Sequence, residues 1–519
     1  MAMVSQARRL VFLLHRWTGV AACLLMALWV LSGVVMLFVG YPKLLPTERL
    51  GALPPLSATA CCVPPEAALR HSQAPRAVRQ ITLTSIAGSP RYRLQEADGS
   101  LFVVDALSGA RLPPADGPAA LRSAASFLPG YRGTVLGLTQ DDRWTHSGLL
   151  DAHRPLIRVR MDDPEASLLY VSSATGEVVM DVPRTQRYWN YVGAWLHWVY
   201  MFRDGSKDAV WSWLVIGLSA LGTFSALAGG LVGIWRWRFA GRYKSGSRSP
   251  YREFQMRWHH ITGLVFGGVL LAWIFSGLMS MNPLGIFSPA GARPDPAAYR
   301  QGVPGSVRPA LSPGAALALL EAEGFAAREL EWKVLGGEPY LLALDQSGAS
   351  RLLTGHDGHY RVQPTLEPDR LAQAARRLLP DGIRSASLLD RHDAYYYRRG
   401  TASMYGGAPR ELPVLRVQFD DPGRTIAYLS LHSGELVLSV DAAQRRGRWL
   451  FNFLHSWDLS WMLRQAFWRG ATLVALSLGA LALAVTGVVL GYRRLGLSLA
   501  RKTRLTRLNR RPAAPGSSR

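Results

Sequence analysis

Only three of the 519 residues are cysteine, and their spacing suits no cysteine chemistry. Cys61 and Cys62 are adjacent, where only a strained vicinal disulfide could join them, and Cys23 sits in an apolar run. A disulfide framework is therefore excluded, as are C-x-x-C metal sites and the C-x-x-C-H attachment of c-type haem. Equally missing are a Walker sequence and a G-x-G-x-x-G turn opening a helix. The chain carries no nucleotide or flavin domain of its own, so any electrons it handles must come from a separate donor. Acids are scarce too, 36 against 59 Lys and Arg, for a formal charge of +23.

The place of that charge argues against a nucleic-acid partner. Arg236, Arg238, Arg242, Lys244, Arg248, Arg252 and Arg257 crowd a loop at 236–257 whose one acid is Glu253, and the tail at 493–519 has nine bases and no acid. These stretches border long apolar runs. Crossing a bilayer takes about 20 apolar residues as a helix, and spans are expected at 10–39, 210–235, 258–281 and 468–492. The first run is too long for a cleaved signal peptide and has a copy in mid-chain. Short basic loops stay on the cytoplasmic side, so both termini and the middle loop are expected inside a bacterial inner membrane. Their bases would also meet anionic lipid.

Two segments, 41–186 and 282–444, then face outward. Each reads as α+β, with short helices at 65–71 and 313–323 and strands in period-2 alternation. Residues 92–112 form a hairpin pattern turning at Asp98-Gly99. The expected architecture is a membrane α-helical protein, with four spans as two parallel repeats carrying two exported α+β domains. Amphipathic interfacial helices at 187–204 and 445–462 lead into the second and fourth spans.

The repeats single out histidine. LHRWTG at 14–19 matches WHHITG at 258–263 with an offset of 259 − 15 = 244, which also carries Ser32 to Ser276. A second block, 155–197, matches 413–455 with an offset of 455 − 197 = 258. Equivalent residues of parallel repeats face each other across an axis along the membrane normal. This pairs His15 with His259 at the inner end and His197 with His455 at the outer end. Opposed imidazoles in a helical bundle suit iron porphyrin, and ionisable groups in membrane segments are usually functional. Two bis-histidine haems b are expected. His259 is preferred to its neighbour His260, whose repeat position is Arg16; His260 stays as the alternative ligand or a capping residue. Ser32 with Gly33, Ser276 with Gly277, Gly230 and Gly487 supply small surfaces for close approach. Outside the membrane, Tyr395, Tyr396, Tyr397 and Arg399 form an aromatic and cationic cluster suited to a bulky ferric chelate; strand packing is the rival explanation.

The order of these parts resembles the PepSY-associated transmembrane family over essentially the whole chain. The most specific stretch, 390–460, runs DRHDAYYYRRG, LPVLRVQFDDP and RRGRWLFNFLHSWD. Some members of that family are similar to periplasmic ferric-siderophore reductases, which implies haem b in the helices and a ferric siderophore or other ferric chelate as partner. The donor would be a quinol or a cytoplasmic reductase. The resemblance also admits a haem-free regulator acting on a peptidase or sensor, and the repeat admits a transporter with histidine proton relays.

Overall fold

The computed structural model describes residues 2–72, 77–205, 208–289, 291–303, 311–356, 359–403 and 406–509. Four helices are long and apolar enough to cross a membrane. They run over Ala2–Met36, Ala209–Arg236, Phe254–Ser280 and Ala466–Asn509. The fourth continues well past the expected end at 492, running through Gly496. Carboxylates set two of the starts: Asp208 accepts from the Trp211 amide and Glu253 from the Met256 amide, each satisfying an orphan donor of a first turn.

Each span packs against two neighbours in the cyclic order first, second, third, fourth. The first and third therefore lie diagonally across the bundle, as the repeat requires. Ala22, Met26, Val30, Leu270, Ile274, Ala480 and Ala484 fill its centre. Among them the alanines let the backbones approach, which is the main source of helix packing in lipid.

All the strands lie beyond one end of the bundle, which we call the sheet side; the loop between the second and third spans marks the other. The first connecting segment contains β1 (Val78–Ile86), β2 (Ser89–Glu96), β3 (Leu101–Asp105), β4 (Gly133–Thr139), β5 (Leu156–Met161), β6 (Leu168–Ser172) and β7 (Val178–Val182). The second contains β8 (Glu329–Leu335), β9 (Glu338–Leu344), β10 (Ser350–His356), β11 (His359–Gln363), β12 (Ile383–Leu389), β13 (Val414–Phe419), β14 (Ile426–Ser430) and β15 (Leu436–Val440). The β2–β3 turn falls at Gly99, with φ +92°, as its Asp-Gly pattern implies. Adjacent Cys61 and Cys62 are bonded to each other.

β4–β7 and β12–β15 form two four-stranded antiparallel meanders in the same order. Each is tied down alike: Tyr170 donates to Asp142, and Tyr428 to Asp393, both at 2.7 Å. The other strands correct the expectation of two separate exported domains. They form one seven-stranded sheet, β11-β10-β9-β8-β1-β2-β3, in which β1 pairs with β8 in antiparallel register. Strand pairing between residues 332 − 81 = 251 apart in sequence leaves no local pattern to read.

Buried ion pairs sew the meanders and the shared sheet together. Arg49 makes a bidentate pair with Glu329, whose side chain is fully buried. Glu177 accepts from Arg93 of β2, and its repeat position Glu435 pairs with Lys333 of β8 at 3.1 Å. The repeated Gly-Glu turns, Gly176-Glu177 and Gly434-Glu435, are therefore the points where each meander grips the sheet.

Candidate haem-ligand centre

The bundle brings the duplicated histidines together. His15 on the first span and His259 on the third have ring centroids 6.2 Å apart at an interplanar angle of 27°. His197 and His455, on the short helices ahead of the second and fourth spans, have centroids 6.0 Å apart. A metal–imidazole bond of roughly 2 Å, plus about 1 Å from nitrogen to ring centre on each side, gives roughly 6 Å for two rings sharing one ion. Both separations match that sum.

Hydrogen bonding sets the tautomer. His197 Nδ1 lies 3.1 Å from Ser32 Oγ and His455 Nδ1 lies 3.0 Å from Ser276 Oγ. Each serine spends its single proton on a carbonyl of its own helix, Leu28 at 2.7 Å and Trp273 at 3.0 Å. With the serine proton on the carbonyl, its oxygen accepts from an imidazole protonated at Nδ1. Thr486 does the same for His259, donating to Leu483 and Ala482 while its oxygen stands 3.2 Å from Nδ1. His15 Nδ1 donates to the Ser225 carbonyl at 3.1 Å. All four Nε2 atoms thus keep a lone pair, and none has a hydrogen-bond partner among the described residues. This is the outer-sphere arrangement that orients metal-bound histidine. For the two histidines outside the spans the proton is also disfavoured by burial. Burial, and then the neighbouring His455, push His197 down to about 3, and burial lowers His455 as well.

Glycine cradles complete the symmetry. A Cβ on Gly33 would meet His197 Cε1 at 3.5 Å, and one on Gly277 would meet His455 Cε1 at 3.9 Å. At the other end, Gly229 faces His15 at 2.6 Å and Gly487 faces His259 at 3.4 Å. The pairs obey the offsets 277 − 33 = 244 and 487 − 229 = 258. Gly487 stands where the sequence pointed, whereas Gly229, not Gly230, holds His15; carrying the second offset beyond His455 finds it. Ser32 and Ser276 are acceptors as well as small surfaces, and both are fully buried.

The helices that carry the outer pair are not continuous over 187–204 and 445–462. Each opens with a regular turn, widens into a π turn at Tyr191–Trp195 and Arg448–Phe453, and ends two residues after its histidine in a left-handed residue, Val199 at φ +56° or Trp457 at φ +50°. A β-branched residue is rarely left-handed, and π turns and such strain collect at functional sites. The backbone distortion is itself duplicated, since 457 − 199 = 258.

Between the levels of the two pairs run 32 − 15 = 17 residues of the first span and 276 − 259 = 17 of the third. At 1.5 Å per residue they lie about 25 Å apart along the bundle, close to the thickness of a bilayer's hydrocarbon core, about 30 Å.

His260 is placed elsewhere. Its Nδ1 meets Ser249 Oγ at 2.8 Å and its Nε2 the Gly233 carbonyl at 2.9 Å. With both nitrogens engaged it fastens the loop to the end of the second span and offers nothing to an ion, so His259 is the residue that faces His15.

The family model for the PepSY-associated TM region matches residues 12–494. The chain belongs to this PepSY-associated family. It is a membrane protein with large sheet-bearing connections, and the matched region includes all four paired histidines. No curated protein matches it.

Of the outward cluster in this PepSY-associated chain, Tyr396 is withdrawn from any ligand. It is 1% exposed, stacks on Tyr428 and donates to the Glu411 carbonyl. Three successive tyrosines cannot share one face, and the strand packing takes the middle one. Tyr395, Tyr397 and Arg399 do line a cavity of about 410 Å³, together with Arg410, Arg448 and Asn452. It abuts the outer pair: Asn452 is three residues before His455, and Met279 and Ser280, which also line it, follow Ser276 by one turn.

Proposed function

We propose that the protein is a transmembrane electron-transfer protein of the bacterial inner membrane. It holds two haems b, between His15 and His259 and between His197 and His455, and reduces ferric chelates, ferric siderophores among them, on the sheet side. What carries this reading is the doubled pair of opposed imidazoles, each anchored through Nδ1. Haem held by these histidines would supply one-electron exchange between ferric and ferrous iron.

The chain's contribution is positional. Ser32, Ser276, Thr486 and the Ser225 carbonyl hold the rings in one tautomer, so little need rearrange when an electron arrives. Gly33, Gly229, Gly277 and Gly487 let the rings lie against neighbouring helices. The separation of about 25 Å between pairs makes one site too few to connect the two faces, and two sites fit. The basic loop and tail fit the cytoplasmic face, which puts the sheets in the periplasm and the outer pair next to an exported chelate. One electron from a quinol or a cytoplasmic reductase would then convert the chelate's ferric ion to ferrous iron, loosening its hold by hard oxygen ligands.

Purified from haem-replete cells, the protein should show b-type bands in a reduced-minus-oxidised spectrum and two haems per chain by pyridine haemochromogen. Replacing both His197 and His455 by Ala should leave one haem, and replacing both His15 and His259 should remove the other. A colourless preparation would overturn the reading.

A further inference from the structure

The cavity beside the outer pair has an unusual charge. Three guanidiniums line it, Arg399, Arg410 and Arg448, and no carboxylate does. Behind the wall lies Asp458, 2% exposed, which pairs with Arg399 at 2.7 Å and Arg448 at 2.9 Å and accepts from the Tyr397 hydroxyl at 2.6 Å. One carboxylate thus serves two guanidiniums. Arg410 donates only to the Pro409 and Val437 carbonyls, at 3.1 and 3.4 Å, and lies over the Tyr396 ring; among the described residues no carboxylate pairs with it. Among the described residues, then, three guanidiniums line the cavity, and Asp458 stands behind two of them. Arg410 is half-buried; a partly desolvated cation without a counter-charge is disfavoured, and an anion in the cavity would supply one.

The fold alone does not dictate this arrangement. At the offset of 258, Asp458 corresponds to Tyr200 and Arg448 to Asn190. Tyr200 is buried among Tyr41, Trp198 and Trp211, and Asn190 donates to the Gly40 carbonyl. The first repeat fills with rings, Arg203 lying over two of them, the place where the second repeat opens a cavity lined by guanidiniums, although the histidines below are the same. The departure from symmetry lies where a soluble molecule would come nearest His455. About 410 Å³ is within the usual range for small-molecule sites, about 300–1,000 Å³.

We propose that this cavity binds an anionic, oxygen-rich small molecule, namely a polycarboxylate chelate of ferric iron, beside the outer histidine pair. The iron in that statement rests on the reductase reading; the anion does not. Guanidiniums recognise carboxylates by paired N–H donors, and Tyr395 and Phe451 supply apolar walls.

The test uses the full chain in detergent, with gallium(III) citrate as a redox-inert anionic probe and an uncharged gallium(III) trihydroxamate for comparison, both followed by calorimetry. Citrate should bind and the uncharged complex should bind much more weakly. Arg410→Gln should weaken citrate binding about tenfold or more, the worth of a charge-assisted contact. Ala408→Glu, at an exposed position on the rim, should do the same by repulsion without disturbing buried packing. Absence of citrate binding, equal binding of the two complexes, or wild-type binding by both variants would overturn the site. Loss of haem from Arg410→Gln with citrate binding intact would assign the guanidinium to haem carboxylates and also overturn it. A colourless protein that still binds gallium citrate would uphold the anion site and remove the reductase reading.

Discussion

Adding one methyl group at Gly229 should remove one haem and leave the other. A Cβ there would stand 2.6 Å from His15 Cε1 and 2.8 Å from Nδ1, whereas ordinary contact begins at 3.4 Å. The imidazole must retreat by at least 3.4 − 2.6 = 0.8 Å. Metal–ligand distances tolerate about 0.2 Å, so the shift is about four times what a bond to iron allows. The same retreat strains the His15 bond to the Ser225 carbonyl. Helix propensity acts in the opposite direction, since Ala in a helix interior is favoured over Gly by roughly 0.5–1 kcal/mol. A loss of haem would therefore report the ring and not the helix. The repeat supplies the control: at Gly487 the corresponding Cβ lies 3.4 Å from His259, and Ala fits. The assay is haem per polypeptide, with the reduced spectrum resolved for each site. One haem in Gly229→Ala and two in Gly487→Ala is the expected result. Two haems with unaltered bands in Gly229→Ala would refute the placement of His15.

Glu329→Ala should lower the stability of the sheet side by about 1–3 kcal/mol, because it removes both charge-assisted bonds of the half-buried Arg49 guanidinium; denaturant unfolding should show part of that recovered when Arg49→Met is added. Asp181 is held up at about 6, first by burial and then by Glu48. Its folded value exceeds the unfolded one, so its contribution is full in acid and is lost as pH rises through about 6. Asp181→Asn should gain melting temperature relative to the wild type across that interval, and a pH-independent difference would contradict the assignment.

The membrane helices and the pairing of the histidines were more legible in the sequence than the sheet architecture, for physical reasons. Long apolar runs must be helices in lipid, since every backbone group has to bond within its own segment; that placed four spans to within a few residues, apart from the start of the first, which begins at Ala2 and not at 10, and the tail of the last. Two constant offsets then paired His15 with His259 and His197 with His455, because repeats place equivalent residues across an axis. The same arithmetic would have found Gly229 had it been carried past His455. What had no local signal was the β1–β8 junction, which depends on two edges meeting in space. Nor could residue type show that Tyr396 packs on Tyr428 while Tyr395 and Tyr397 line the cavity, or that the second nitrogen of His260 reaches Gly233. Burial and hydrogen-bond partners follow from packing, not from order along the chain.

The β1–β8 junction also bears on how such a chain arose. Its antiparallel register joins the first strand of each connecting segment at the middle of the sheet, with the rest of each segment's strands in that sheet running outward on its own side, an arrangement that two copies meeting across a dyad would also give. A gene encoding one half would give a protein able to close the same sheet with a twin, its β1 edge lying on the β1 of the other copy. Fusion would turn that homodimer into a monomer, and from then on either half was free to change alone, as the guanidinium-lined chamber of one half and the ring-filled counterpart of the other now record. Cutting the chain in the loop between the second and third spans and co-expressing the pieces should therefore restore the assembly, whereas each piece alone would present an unpaired strand edge and aggregate.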